Sequence, residues 1–343
     1  MSFRSFEKFT GIYGVASKVD ENTTAINNLA PFISLLIQKS KIETPIYVEP
    51  FAGGAGVALS LLLNSAVDEI VINDYDKAIY SVWRALLTET DSFIKLIEDT
   101  PLSVDEWRTR KRIYDEQGDK YSLELGFAAF YLNRTNHSGI LSNAGPIGGF
   151  DQTGNYLIDA RFNRPELVRR VCEIAKYKSK IHLYNKDIRT FLEKYLPRYQ
   201  ERAFIYFDPP YYNKGKALYK NFFSPMDHQE IFERIKELNC PWLVTYDDVP
   251  EIREIYSSYT GKRYDLTYSL ANNGKKSELM FLSDDALWPS KADPFAVARL
   301  SEDNSSLLFS FPSSNMTYKE QKSVRNSFRL AMDEALYNIY LPD

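Results

Sequence analysis

The chain has 343 residues, 44% of them apolar and 26% charged, enough for one large domain or two modest ones around a buried core. That balance excludes a disordered chain and a coiled coil, and no apolar run approaches the ~18 residues of a membrane span. The net charge is −4, yet residues 101–220 hold 21 Lys and Arg against 14 Asp and Glu while the remainder holds 21 against 32. A basic middle in an acidic protein suits local phosphate contact, although a solvated charged face gives the same imbalance. Residues Met1–Ser5 lack the apolar core of a secretory signal, so a cytoplasmic protein is expected. Cys172 and Cys240 cannot form a disulfide framework and are expected as buried free thiols. His137, His182 and His228 have no metal-ligand spacing, and no metal is expected.

In chain order, Leu29 to Gln38 reads as a helix with Pro31 near its first turn. Pro45–Glu49 is a short apolar run bounded by Pro50, as in a buried strand. Gly53, Gly54 and Gly56 follow, then a helical run from Val57 to Leu63, a second strand at Glu69–Asn73, and a helix from Lys77 to Leu87. Strand, glycine turn, helix, strand is a right-handed parallel βαβ unit. From Thr88 to Lys180 the pattern is helical, apart from a Gly-rich passage at Thr135–Tyr156. Strand-like runs return at Ile181–Asn185, Ala203–Phe207, Pro241–Tyr246 and Glu278–Ser283, the first three separated by helical patterns at Arg189–Tyr199 and Asp227–Leu238. This predicts a doubly wound α/β sheet split by an insertion. Three parts follow: a discontinuous sheet domain at 1–87 and 181–283, an insertion at 88–180, and an extension of unassigned role at 284–343 with a helix from Lys319 to Tyr340.

Two passages carry chemistry. In Glu49-Pro-Phe51-Ala52-Gly53-Gly54-Ala55-Gly56, glycines between a strand and a helix let the backbone approach a ligand closely. Asp74, about twenty residues on at a strand end, can accept both hydroxyls of a ribose. A nucleoside cofactor is the reading this context favours over a bare tight turn. In Phe207-Asp208-Pro209-Pro210-Tyr211, two prolines lock the backbone just past the carboxyl end of a strand, where open α/β sheets bind ligands. Asp208 and a proline carbonyl can accept hydrogen bonds from an exocyclic amine while Tyr211 stacks on its ring. The competing reading is a capped loop with Asp208 as a helix N-cap.

With both motifs in hand, the sequence resembles the Dam-type family of S-adenosylmethionine (SAM)-dependent DNA adenine methyltransferases from about Pro45 to Ser283. The resemblance implies a Rossmann-like methyltransferase sheet, its last strand antiparallel, with an inserted, mostly helical target-recognition domain. It assigns Glu49, Phe51, Ala52, Gly53 and Gly54 to the cofactor loop, Asp74 to the ribose, with Asp76 the alternative, and Asp187 and Ile188 to the adenine edge. Asp208, Pro209, Pro210 and Tyr211 match the catalytic tetrapeptide, and Ser277-Glu278-Leu-Met resembles the family's closing strand. The segments Leu132–Gly139, Gly145–Gly149, Gln152–Gly154 and Arg161–Asn163 resemble the recognition domain. They imply Asn133, Arg134, Asn136, Arg161 and Arg164 as DNA contacts, with a hairpin-like segment at Gly145–Tyr156 entering a groove.

Two departures stand out. The family carries glycine where Ala55 stands, and Ala55 is expected to keep a negative φ. The family's opening Gly-Gly-Lys has only a loose analogue at Gly11–Lys18, through which Tyr13 and Lys18 are assigned to the cofactor. The implied reaction is methyl transfer to the exocyclic amine of a flipped adenine in a specific double-stranded DNA sequence, with the Tyr211 hydroxyl incidental. Implied partners are double-stranded DNA and a cognate restriction enzyme or another defence component, with no membrane, the protein being a monomer or weak dimer. The rivals are an RNA base methyltransferase, disfavoured by the 152 positions between Gly56 and Asp208, and an inactive SAM- or DNA-binding regulator, disfavoured by an intact Asp208 and Tyr211.

Overall fold

In the computed structural model, residues 21–212 (apart from 117 and 119), 223–266, 276–289, 298–300, 303 and 305–309 are described. Tyr13, Lys18 and the expected helix at Lys319–Tyr340 lie outside these residues. The described strands form one nine-stranded sheet in the order β3-β2-β1-β4-β5-β7-β6-β9-β8. They are β1 (Ile46–Glu49), β2 (Glu69–Asn73), β3 (Ile181–Tyr184), β4 (Ala203–Phe207), β5 (Trp242–Asp247), β6 (Lys262–Leu266), β7 (Lys276–Leu282), β8 (Ala298–Leu300) and β9 (Ser306–Phe309). β3, β2, β1, β4 and β5 are mutually parallel, and β7 runs antiparallel to both β5 and β6. This is the expected Rossmann-like arrangement, extended by β6, β8 and β9, which the apolar patterning did not reveal. β8 and β9 bring part of the 284–343 segment into the sheet, β9 pairing parallel to β6.

β1 and β4 are buried along their whole length because helices cover both faces of the sheet, which is why they read as unbroken apolar runs. One face, with Tyr47, Ile70, Ile72, Phe204 and Tyr206, packs under α1 (Glu21–Lys39), α2 (Gly56–Leu63) and α3 (Lys77–Thr88). The other, with Val48, Val71, Ile205 and Phe207, packs against short helical turns at 188–198, α8 (Pro225–Lys236) and α9 (Pro250–Ile255). α1 starts earlier than expected, so Pro31 lies inside it. Between α3 and β3 run α4 (Thr90–Asp99), α5 (Val104–Asp115), α6 (Leu123–Thr135) and α7 (Arg164–Ala175). α6 is buried all round, and its Phe127, Phe130 and Tyr131 join the same core as the sheet's first face. Gly126 permits this close crossing of α6 over α3: a Cβ there would lie 2.5 Å from the Ser81 carbonyl oxygen.

Cys240 is buried and its thiol is pushed up to about 12 by that burial. Cys172, expected to be buried too, is exposed: Leu167, Val171 and Ile174 form the inward face of α7, and the helical period turns residue 172 outward. Among the described residues, no helix is long and apolar enough to cross a membrane.

Candidate active site

Three neighbouring parallel strands, β2, β1 and β4, deliver the two motifs to one edge of the sheet. Glu49 ends β1 and Phe207 ends β4, and Val48 pairs with Ile205, so the glycine turn and Asp208 leave the same carboxyl edge side by side. Buried Asn73 ties that edge together. Its Nδ2 donates to the carbonyls of Pro50 and Lys186 at 3.1 Å each, and its Oδ1 accepts from Lys186 N at 2.9 Å.

The glycine turn is held from both sides. Ala52 N donates to Asn73 O at 2.9 Å, and Trp83 Nε1 donates to Gly53 O at 2.8 Å. Gly53 adopts φ 51°, a conformation in which glycine pays no Cβ penalty. Ala55 does not keep the expected negative φ: it stands at φ 47°, ψ 43°, left-handed, at the start of α2. The turn has to reverse the chain within a few residues, and Ala55 N closes it on Ala52 O at 2.7 Å. Phe51 is partly buried, its ring edge-on to Phe223 at 5.8 Å, and Ala52 and Gly54 are buried in the turn.

Asp74 supports this turn directly. Oδ2 accepts from Gly53 N and Oδ1 from Asp76 N, both at 2.8 Å. Asp76, the alternative ribose contact, is instead the N-cap of α3, accepting from Ala78 N at 2.7 Å. Asp187, half-buried just past β3, accepts from Arg189 N at 3.0 Å and lies 3.4 Å from the Arg189 guanidinium. The Ile188 side chain is buried in the core beside Asp187. The buried Glu49 side chain, with Tyr206 and Asp208, surrounds the Tyr47 hydroxyl, whose pKa is held well above its usual range, first by burial and then by these neighbours.

Asp208 is buried, 8% exposed, and follows the strand in a loop over 208–211 that does not continue into a helix. Thr245 on β5 donates its hydroxyl to Asp208 Oδ1 at 3.3 Å, and Tyr206 OH meets that hydroxyl at 2.9 Å. Pro209 and Pro210 are buried behind it. Tyr211 is 8% exposed and its hydroxyl is not incidental: it donates to Glu278 Oε1 on β7 at 2.7 Å. Tyr212 N donates to Asp247 Oδ1 on β5 at 3.1 Å, and its ring packs 5.0 Å from that of His228. Thr245, Asp247 and Glu278 were missed as site residues because they arrive from strands far along the chain. Only the register of β5 and β7 places them. Among the described residues, no group of three or more His, Cys, Asp or Glu is arranged to hold a metal ion.

The residues expected to contact DNA are largely engaged within the protein. Asn133, Arg134 and Asn136 are buried at the end of α6 and serve the loop that follows. Asn133 donates to Gly139 O at 2.9 Å, Arg134 Nε to Arg161 O at 2.7 Å, and Asn136 joins Trp107 Nε1 to the Ile140 carbonyl. Arg164 is spent on the end of α4: its guanidinium donates to the carbonyls of Ile97 and, at 2.6 Å, Thr100, which the helix itself leaves unsatisfied. Arg161 is half-buried and reaches back to Asn133 O at 3.4 Å. The large apolar side chains this framework presents are Phe150, Tyr156 and Leu157, all more than 40% exposed. Phe150 lies edge-on to Trp107 with the Arg108 guanidinium over its ring.

The profile of the D12 class N6 adenine-specific DNA methyltransferase family matches residues 27–270. The Type II methyltransferase M.MjaIII of Methanocaldococcus jannaschii is 23% identical over 179 residues, covering 48% of this chain and 58% of that protein. The chain therefore matches little more than half the length of that relative. The solved rRNA methyltransferase aviRa of Streptomyces viridochromogenes is similar at a TM-score of 0.37 and 12% identity, covering 82% of this chain and 94% of that one.

Proposed function

Because the chain belongs to the D12 class N6 adenine-specific DNA methyltransferase family, we propose that it transfers the methyl group of SAM to the exocyclic amine of an adenine flipped out of double-stranded DNA. The observation that carries this reading is the side-by-side exit of the glycine turn and the Asp208–Tyr211 tetrapeptide from neighbouring parallel strands. A methyl donor seated on the first would meet an amine held by the second.

The residues present fit such a donor. Asp74, just past β2 and bonded to the glycine turn, is placed for ribose hydroxyls, Asp187 past β3 is placed for an amino group, and the turn at 51–54 brings backbone close. SAM, when bound, supplies a methyl group already attached to a good leaving group. What remains for the protein is positioning and electrostatic support. Asp208 accepts hydrogen bonds from the amine, drawing the nitrogen lone pair out of ring conjugation. The amine proton becomes acidic as the nitrogen is alkylated, so Asp208 need not be a strong base. Thr245 holds Oδ1 of that carboxylate, and the Tyr211 ring offers the stacking surface.

The DNA-facing surface we favour is the loop at 145–157 with exposed Phe150, Tyr156 and Leu157, in place of the buried asparagines and Arg134. Residues 88–180 then act as the recognition part without forming a separate body, since α6 shares the sheet's core. A restriction partner is the natural companion if the modification protects a cleavage site. Sequencing that detects N6-methyladenine in DNA from cells expressing the protein tests the reading. Methyladenine within one recurring sequence supports it, and labelled methyl groups found only in RNA would replace it with RNA methylation.

A further inference from the structure

We propose that Glu278 is a positioning residue for Tyr211, fixing the plane of the ring on which the target adenine stacks. The inference rests on the methyltransferase reading above. Glu278 lies on β7 and is 2% exposed. Its Oε1 accepts from Tyr211 OH at 2.7 Å and its Oε2 from Tyr264 OH. Tyr264 is also its cross-strand partner on β6, so the carboxyl group is braced from one side and grips the tetrapeptide on the other. On the opposite side of β7, its partner in the register is Asp247 of β5, which takes the backbone N–H of Tyr212. Two neighbouring acids therefore hold consecutive residues of the catalytic loop, one by a side chain and one by the backbone.

Burial alone does not favour a carboxyl group here, although this one satisfies two buried tyrosine hydroxyls. Met280 and Leu282, the next residues on the same face of β7, are apolar and buried in the core. An apolar side chain at 278 would avoid the cost of desolvating a carboxyl group. What the carboxyl adds is direction. Without it the Tyr211 hydroxyl loses the bond that fixes the ring's orientation, and a stacked base would lose its alignment with the methyl donor.

The test uses the full chain, labelled SAM and unmethylated duplex genomic DNA, with Glu278→Leu, Glu278→Gln, Tyr264→Phe, Tyr211→Phe and the Tyr211→Phe/Glu278→Leu pair. The readouts are the single-turnover methylation rate, SAM affinity by calorimetry and the thermal midpoint. Glu278→Leu should slow methylation roughly 10-fold or more, as expected for a lost hydrogen bond to a buried carboxyl group, with SAM affinity unchanged. Glu278→Gln, whose amide oxygen still accepts from Tyr211, should recover most of the rate. The pair should be no slower than Glu278→Leu alone, because both changes remove the same bond. If Glu278→Leu does not fold, Tyr264→Phe should still show a slower rate at unchanged SAM affinity. A wild-type rate in Glu278→Leu overturns the inference, as do losses in Tyr211→Phe and Glu278→Leu that simply multiply. A wild-type protein that methylates no adenine in DNA overturns the underlying function and this inference together.

Discussion

Thr245 donates to Asp208 Oδ1 at 3.3 Å from the neighbouring strand β5, and so orients the carboxylate that the proposed function aims at the substrate amine. Thr245→Val keeps the shape and removes the donor. The bond is long, so its loss is worth ~0.5–1.5 kcal/mol and methylation should fall roughly 2- to 13-fold. Thr245→Ser should restore most of it. Single-turnover rates at saturating SAM check this, and a Thr245→Val enzyme as fast as wild type would remove Thr245 from the site.

Ala55 invites a balance of magnitudes. Its left-handed backbone costs ~1–2 kcal/mol, but Ala55→Gly adds ~0.5–1 kcal/mol of chain entropy and exposes the loss of a buried methyl worth ~0.8 kcal/mol. The terms nearly cancel, so Ala55→Gly should leave the thermal midpoint within a few degrees of wild type. Ala55→Val, β-branched in a conformation that already strains alanine, should lower both midpoint and SAM affinity. Calorimetry on both variants tests this, and a neutral Ala55→Val would mean that the turn relaxes freely.

The sequence disclosed the parts of the fold that are buried on both faces. Ala203–Phe207 and Glu69–Asn73 are strands over the very residues whose apolar runs suggest them. β6 escaped because Lys262 and Tyr264 alternate with exposed Arg263 and no apolar run forms. In the site, Gly53 and Asp208 were legible because each motif is local. The roles of Thr245, Asp247 and Glu278 depend on strand register, which links residues tens of positions apart. The burial of Asn133, Arg134 and Asn136 was not legible, because polar identity says nothing of burial and the last turns of α6 are enclosed.

Arg164 belongs to folding. Arg164→Ala leaves the Ile97 and Thr100 carbonyls without its donors and should cost about 1–3 kcal/mol of stability. The salt dependence of DNA binding should not change. A slope smaller by about one unit would instead return Arg164 to the phosphate backbone.

His228 makes stability pH-dependent. It is buried among the rings of Tyr212, Phe223 and Tyr246, and burial pushes its pKa down to about 4. The unfolded chain takes up that proton near pH ~6.5, so the contribution is intact above ~6.5 and is lost as pH falls towards 4, by up to about 3 kcal/mol. His228→Phe should flatten the fall in thermal midpoint over that window relative to wild type. Parallel curves for the two proteins would show that His228 titrates alike folded and unfolded.

The most direct test of the account compares methyl transfer and SAM binding in Asp208→Ala. Single-turnover methylation of duplex DNA should disappear while calorimetric SAM affinity stays within a few-fold of wild type, because the proposed partner of Asp208 is the target amine while the cofactor turn is held by Asp74. Retained methylation in Asp208→Ala would contradict the assignment of the catalytic site.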